Sequence, residues 1–219
     1  MIEWVFHRAR QAASFTKLLI ATDSEEIAAY CDHAGIPVVM TSREHRSGTD
    51  RLVQVMRSEP ANIYVNIQGD EPMVRGEHIE LLLLPFREDP ATQVSTLKVA
   101  MSAEDTRDPN NTKVVTDSRG QALYFSRAAI PHDRDKTGEV RYFKHLGIYA
   151  YSAGALAKFS QLPPSSLEHV ERLEQLRFLE NGIPIAVVET PDDTIGVDTE
   201  ENLRQVEEFF TRNGICLTP

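Results

Sequence analysis

The stretch Asn62-Ile63-Tyr64-Val65-Asn66-Ile67-Gln68-Gly69-Asp70-Glu71-Pro72 joins a strand pattern to a tight turn. Ile63, Val65 and Ile67 recur at every second residue with Tyr64 between them, the composition of a strand buried in a sheet. The apolar run stops before Gly69, so Asp70 and Glu71 are expected at the strand's carboxyl end. In an open α/β sheet, ligands bind at that end. A carboxylate fixed there, beside a glycine that lets a phosphate or metal approach the backbone, suits a hard cation such as Mg²⁺ carrying a nucleotide. Asp70 also fits a plain turn cap, and the rest of the chain has to decide between the two.

Outward from this stretch, strands and helices alternate. Ile2, Val5, Phe6 and Ala9 have helical spacing, and short strands over residues 17–22 and 37–41 bracket a helix that Gly35 stops. Asp23 with Glu26 is expected to open that helix as a capping box. A helix over 77–86 and a strand over 94–99 follow, and the alternation predicts a mainly parallel sheet. Residues 112–116 and 122–126 then read as two strands joined by a turn, a small antiparallel subregion. Residues 142–151 form an aromatic-rich strand, and a helix spans 153–159. Leu167, Val170, Leu173, Leu176 and Leu179 predict one long helix over 166–180, followed by a strand over 183–188 and an amphipathic helix over 200–210.

The 219 residues, 41% hydrophobic, suffice for one sizeable core, expected as a single domain over 1–219. With 33 acidic residues against 23 basic and a net charge of −10, nucleic acid and anionic membranes are not expected as partners. Cys31 and Cys216 make no disulfide framework or metal motif, and no export signal or membrane-spanning run is visible, so a cytoplasmic location is expected.

Several other residues carry chemistry. Residues 42–49 include His45, Arg46, Ser47, Gly48 and Thr49 and precede a helix bearing Arg51. Backbone amides at Ser47 and Gly48 suit an anion or the polar edge of a base, while a solvated loop capped at Thr49 or Asp50 is the alternative. Asp198, with Glu201 three residues on, reads as an N-cap. It also reads as a second carboxylate meeting Asp70 on one Mg²⁺-nucleotide, an arrangement that fits nucleotidyl transfer. His145 is a core histidine or a ligand, Tyr149 a core residue, Arg127 a surface ion pair or a substrate clamp, and Glu174 and Gln175 solvated helix positions.

Taken in order, Ile20-Ala21-Thr22-Asp23, His45-Arg46-Ser47-Gly48-Thr49-Asp50-Arg51, the segment Val65 to Pro72, Ala122-Leu123-Tyr124-Phe125-Ser126-Arg127, His145-Leu146-Gly147-Ile148-Tyr149, Leu167-Glu168-His169, Leu173-Glu174-Gln175-Leu176-Arg177 and Gly196-Val197-Asp198-Thr199 resemble the 3-deoxy-manno-octulosonate (Kdo) cytidylyltransferase family. The resemblance implies a three-layer, Rossmann-like nucleotide-diphospho-sugar transferase fold. It also implies a homodimer that uses Mg²⁺ to join CTP and Kdo into CMP-Kdo and pyrophosphate for lipopolysaccharide assembly. By the same resemblance Asp70 and Asp198 hold Mg²⁺ at the reacting phosphate, Ser47, Gly48, Thr49, Arg51 and Gln68 surround the cytidine, and Arg127, His145, Tyr149, Glu174 and Gln175 surround Kdo. A cytidylyltransferase for sialic acid or another 2-keto sugar acid is the alternative within enzymes. A non-catalytic nucleotide-binding or dimerisation protein is the alternative outside them. Members of the family open with a strand and a glycine-, arginine- and lysine-bearing triphosphate loop, and Met1 falls just after it. An N-terminally incomplete domain with poor turnover is therefore expected.

Overall fold

The structure, a computed structural model, describes residues 1–45 and 47–215; Arg46 and Cys216 lie outside the described residues. Along the chain run α1 (Ile2–Ala9), β1 (Ile20–Thr22), α2 (Glu25–His33), β2 (Val38–Met40), α3 (Gly48–Ser58), β3 (Ile63–Asn66), α4 (Gly76–Glu88), β4 (Val94–Met101), a 3₁₀ turn (Asp105–Arg107), β5 (Lys113–Thr116), β6 (Ala122–Ser126), β7 (Tyr142–Ser152), α5 (Ala153–Phe159), α6 (Ser166–Glu171), α7 (Leu176–Glu180), β8 (Ile185–Glu189) and α8 (Glu200–Arg212). The chain divides into two compact units: residues 1–61, 66–80 and 193 onward form the first, and residues 62–65 and 81–192 the second. Among the described residues no helix is long and apolar enough to cross a membrane.

In the first unit β1 and β2 pair in parallel, Ile20 opposite Val38. Phe6, Ile20, Cys31 and Ile36 are buried together beneath them, so the helical spacing of α1 serves to cover this pair. A second cluster joins Met73, Val206 and Phe210 with Trp4, Ile195 and Val197. Trp4 stacks on Phe210 with ring centroids 4.5 Å apart. This cluster ties α1 and α8 to the two loops that carry Asp70 and Asp198.

The second unit is built on a sheet of order β6-β5-β7-β4-β8, with β3 paired to β7. Pairing is parallel between β4 and β8 and antiparallel for β4–β7, β5–β6 and β5–β7. The hairpin expected from residues 112–126 is present. The antiparallel region extends beyond it, because the long strand β7 pairs with β4 on one side and touches β5 on the other. Tyr149, Tyr151, Phe178 and Phe159 stack in a continuous row with successive centroids 5.6, 5.7 and 4.9 Å apart.

Four local expectations are corrected. The cap of α2 is Ser24, whose hydroxyl accepts from the Ile27 amide at 3.3 Å, while the Asp23 carboxylate pairs with Arg51 at 3.1 Å. The cap of α3 is Ser47 rather than Thr49 or Asp50, its Oγ accepting from the Asp50 amide at 3.1 Å. Thr199, not Asp198, caps α8, accepting from the Asn202 amide at 3.1 Å. The long helix over 166–180 is two helices, α6 and α7, broken where Arg172 adopts a left-handed conformation at φ 56°. The Glu171 carbonyl, which a continuing helix would offer to the amide four residues on, accepts instead from Arg127 Nε at 2.9 Å. Gln175 consequently becomes the cap of α7, and Glu174 lies in the turn before it.

Phe210 is 8% exposed and its neighbour Phe209 38%. Phe210→Ala is expected to cost about 3–5 kcal/mol in urea unfolding, as for buried aromatic truncations. Phe209→Ala is expected to stay within about 1 kcal/mol.

Candidate active site

In the first unit the two acidic loops are stitched together. The Val197 amide donates to the Asp70 carbonyl at 2.8 Å. A Cβ placed on Gly196 would lie only 3.6 Å from Glu71 Oε1. With the cap of α8 supplied by Thr199, the Asp198 carboxylate is exposed and takes no part in capping. Burial pushes the Asp70 carboxyl above its usual range, and the negative charge of Asp198 pushes it further. An aspartate raised in this way costs folding stability at neutral pH, a cost that disappears as pH falls through its folded-state value. Two hard oxygen donors whose charges repel one another fit a divalent cation that takes its remaining ligands from water and substrate phosphates. Among the described residues no cluster of three or more His, Cys, Asp or Glu side chains is present.

Next to these carboxylates in sequence, Gln68 lies against the start of α3. A Cβ on Gly48 would fall 2.8 Å from Gln68 Nε2 and 3.4 Å from Asn66 Nδ2, so a side chain there would displace the Gln68 amide from its place against the helix terminus. Ser47, Gly48, the buried Thr49 and Gln68 are thus brought together. Arg51, further along the helix, reaches the Thr41 hydroxyl and the Asp23 carboxylate. That pairing holds β1, the loop after β2 and α3 in place, and it draws Asp23 below the ordinary carboxylate range, first through the hydrogen bond from Arg51.

In the second unit a bulge in β7 organises the remaining candidates. Leu97 pairs with Leu146 and Thr96 with Tyr149, so Gly147 and Ile148 are looped out. Four residues of regular strand span roughly 13 Å. Here the His145 and Tyr149 rings are 5.3 Å apart, as expected where a bulge re-aims side chains. Thr96 fills the bulge: its hydroxyl lies 2.9 Å from the Ile148 carbonyl, 3.1 Å from the Leu146 carbonyl and 3.1 Å from His145 Nε2. Carbonyls only accept, so the hydroxyl hydrogen goes to one of them and His145 donates from Nε2. In the neutral imidazole this leaves Nδ1 as the acceptor. Burial, with a smaller contribution from Lys144, lowers its pKa to about 3. Burial likewise raises the Tyr149 phenol well above its usual value, with Tyr151 and Glu174 adding to the shift. Glu174 thus acts electrostatically on Tyr149, and Gln175 is 7% exposed beside it.

Arg127, just after β6, is half-buried, and its guanidinium meets main-chain carbonyls. Its Nε donates to the Glu171 carbonyl at 2.9 Å and its Nη1 to the Pro109 carbonyl at 3.0 Å. Lys113, fully buried, donates to the Arg127 carbonyl at 2.5 Å and to the Asp108 carbonyl at 3.0 Å. Thr96, Lys113 and Glu171 were not legible as site residues. A threonine and a lysine within strand patterns, and a glutamate at the end of a leucine-striped helix, carry no local signal of these contacts.

A family model described as Cytidylyltransferase matches residues 1–189. The chain is 54% identical over 210 residues to the 3-deoxy-manno-octulosonate cytidylyltransferase of Acidobacterium capsulatum, covering 96% of this chain and 85% of that protein. It is 45% identical over 212 residues to the protein of the same name from Escherichia coli, covering 97% and 86%. A solved structure of CMP:2-keto-3-deoxy-manno-octonic acid synthetase complexed with CTP superposes with a TM-score of 0.93 at 44% identity, covering 97% of this chain and 88% of that one. A glucose-1-phosphate thymidylyltransferase structure from Bacillus anthracis, 15% identical with a TM-score of 0.65 over 95% of this chain and 81% of that one, shares the fold. The chain belongs to the cytidylyltransferase family, alongside its 3-deoxy-manno-octulosonate cytidylyltransferases. The α/β nucleotidyltransferase fold expected from the sequence is the one observed.

Below about pH 6.5 the unfolded chain protonates His145 while the folded protein does so only near 3. Stability contributed by the neutral imidazole is therefore lost as pH falls through 6.5, by about 2 kcal/mol at pH 5. His145→Gln is expected to shrink the difference in unfolding free energy between pH 7.5 and pH 5 by about that amount.

Proposed function

We propose that the chain transfers CMP from CTP to the anomeric hydroxyl of 3-deoxy-D-manno-octulosonate, giving CMP-Kdo and pyrophosphate for lipopolysaccharide synthesis. The observation that carries this reading is the stitching of the Asp70 loop to the Asp198 loop, which brings the Asp198 charge within reach of the Asp70 carboxyl. The names of the relatives and the CTP in the solved neighbour support the same substrates.

In this reading Asp70 and Asp198 hold Mg²⁺, which when bound offsets charge on the phosphate oxygens and makes the attacking hydroxyl more acidic. Ser47, Gly48, Thr49, Arg51 and Gln68 hold cytidine, with the Gln68 amide kept against the start of α3 because Gly48 lacks a side chain. Arg127 pairs with the sugar carboxylate. Neutral His145 accepts a sugar hydroxyl at Nδ1 while Thr96 fixes its tautomer, and Glu174, Gln175 and Tyr149 supply further polar contacts. The hydroxyl oxygen forms a bond to the α-phosphorus, the bond to the bridging oxygen of pyrophosphate breaks in line, and the hydroxyl proton leaves to solvent. No buried general base is required. The enzyme acts as a homodimer in the cytoplasm.

Pyrophosphate release from CTP with Kdo or N-acetylneuraminate tests the reading. Turnover with Kdo that needs a divalent ion is expected, at least about tenfold above that with N-acetylneuraminate. Asp198→Asn is expected to reduce it by about 10²-fold or more. Preference for N-acetylneuraminate, or CTP binding with no turnover, contradicts it.

A further inference from the structure

Glu171, a residue the mechanism above does not use, links Arg127 to the turn bearing Glu174 and Gln175. Its carboxylate accepts from Ser126 Oγ at 2.6 Å, from the Tyr124 hydroxyl at 3.3 Å and from the Arg127 amide at 2.9 Å. Its carbonyl accepts from Arg127 Nε at 2.9 Å. Burial pushes the carboxyl upward, yet these donors, led by the Arg127 amide, hold it below its usual value, so it is ionised at neutral pH.

The two ends of this residue do different things. The side chain closes the end of β6, where a free carboxylate meets a backbone amide and two hydroxyls. The main chain takes part in ending α6. Its carbonyl is diverted to Arg127, the next residue turns left-handed, and the Leu173 amide returns to the Glu168 carbonyl at 3.3 Å. Glu174 and Gln175 therefore sit on a turn that follows directly from a residue bonded to Arg127 through both its carboxylate and its carbonyl. With Nε and Nη1 of Arg127 committed to carbonyls, the direction of the rest of its guanidinium fork is set as well.

We propose that Glu171 is a positioning residue for the sugar acid, aiming Arg127 and registering the Glu174–Gln175 turn against it. This rests on the assignment of Arg127, Glu174 and Gln175 to the sugar substrate. A residue with this role acts on one substrate only, whereas a merely structural residue lowers the active fraction and leaves both Michaelis constants alone.

The test is steady-state kinetics of pyrophosphate release by the full chain and its Glu171→Gln, Arg127→Ala and double variants. Glu171→Gln is expected to raise KM for Kdo by at least about tenfold, the size of one lost charge-assisted hydrogen bond. KM for CTP is expected to stay within about twofold, since CTP is assigned to other residues. In the Arg127→Ala background the same change is expected to add little, because coupled residues are not additive. Ser126→Ala, which removes one donor to the same carboxylate, carries the test if Glu171→Gln does not fold; a smaller rise in KM for Kdo supports the proposal. An unchanged KM for Kdo, or equal rises for both substrates, overturns it. Absence of turnover by the unsubstituted chain overturns the functional reading and this proposal with it, whereas turnover with a rise in Arg127→Ala alone overturns only the role of Glu171.

Discussion

One hydrogen bond, from the Val197 amide to the Asp70 carbonyl at 2.8 Å, joins segments more than a hundred residues apart and keeps two carboxylates together against their mutual repulsion. Nothing in either loop alone would do this. The loops are held from beneath by the cluster of Met73, Val206 and Phe210 with Trp4, Ile195 and Val197, so burial of apolar surface by α1 and α8 offsets the electrostatic cost at the rim. Thr199 takes over the capping of α8, which frees Asp198 from the role that its position in the sequence suggested.

The second unit solves a different problem, holding polar side chains in a largely apolar setting without leaving charge exposed to it. The bulge in β7 brings His145 and Tyr149 together and gives Thr96 the carbonyls that fix the histidine tautomer. Burial then keeps the imidazole neutral across the physiological range. Arg127 is placed by carbonyls from two segments, and buried Lys113 holds its main chain. The guanidinium itself is aimed by neutral carbonyl acceptors, while the Glu171 carboxylate meets the main-chain amide of Arg127.

Periodicity located the helices and strands well, because core-facing stripes such as Ile2, Val5, Phe6 and Ala9 are local features of the chain. Caps were less legible, since Asp23, Ser24, Asp198 and Thr199 are all competent and tertiary contacts choose among them. The break at Arg172 was hidden because Leu173 and Leu176 continue the apolar stripe of the preceding residues, and the bond that takes up the freed Glu171 carbonyl comes from Arg127, 44 positions earlier. The extent of antiparallel pairing was hidden for the same reason: strand patterns record which face is buried, not which neighbour lies alongside. The Asp70 turn and the motifs quoted with it were legible as a set, because chemistry of this kind needs particular residue types at strand and helix ends.

The central claim is that folding forces Asp70 and Asp198 into a repulsive pair that a divalent ion relieves. Thermal unfolding of the full chain and Asp70→Asn at neutral pH, in chelator and then in Mg²⁺, tests it most directly. The account predicts a higher midpoint for Asp70→Asn in chelator, and a rise on adding Mg²⁺ in the unsubstituted chain that the variant lacks. A lower midpoint for the variant in chelator, or an equal response of both proteins to Mg²⁺, would contradict it.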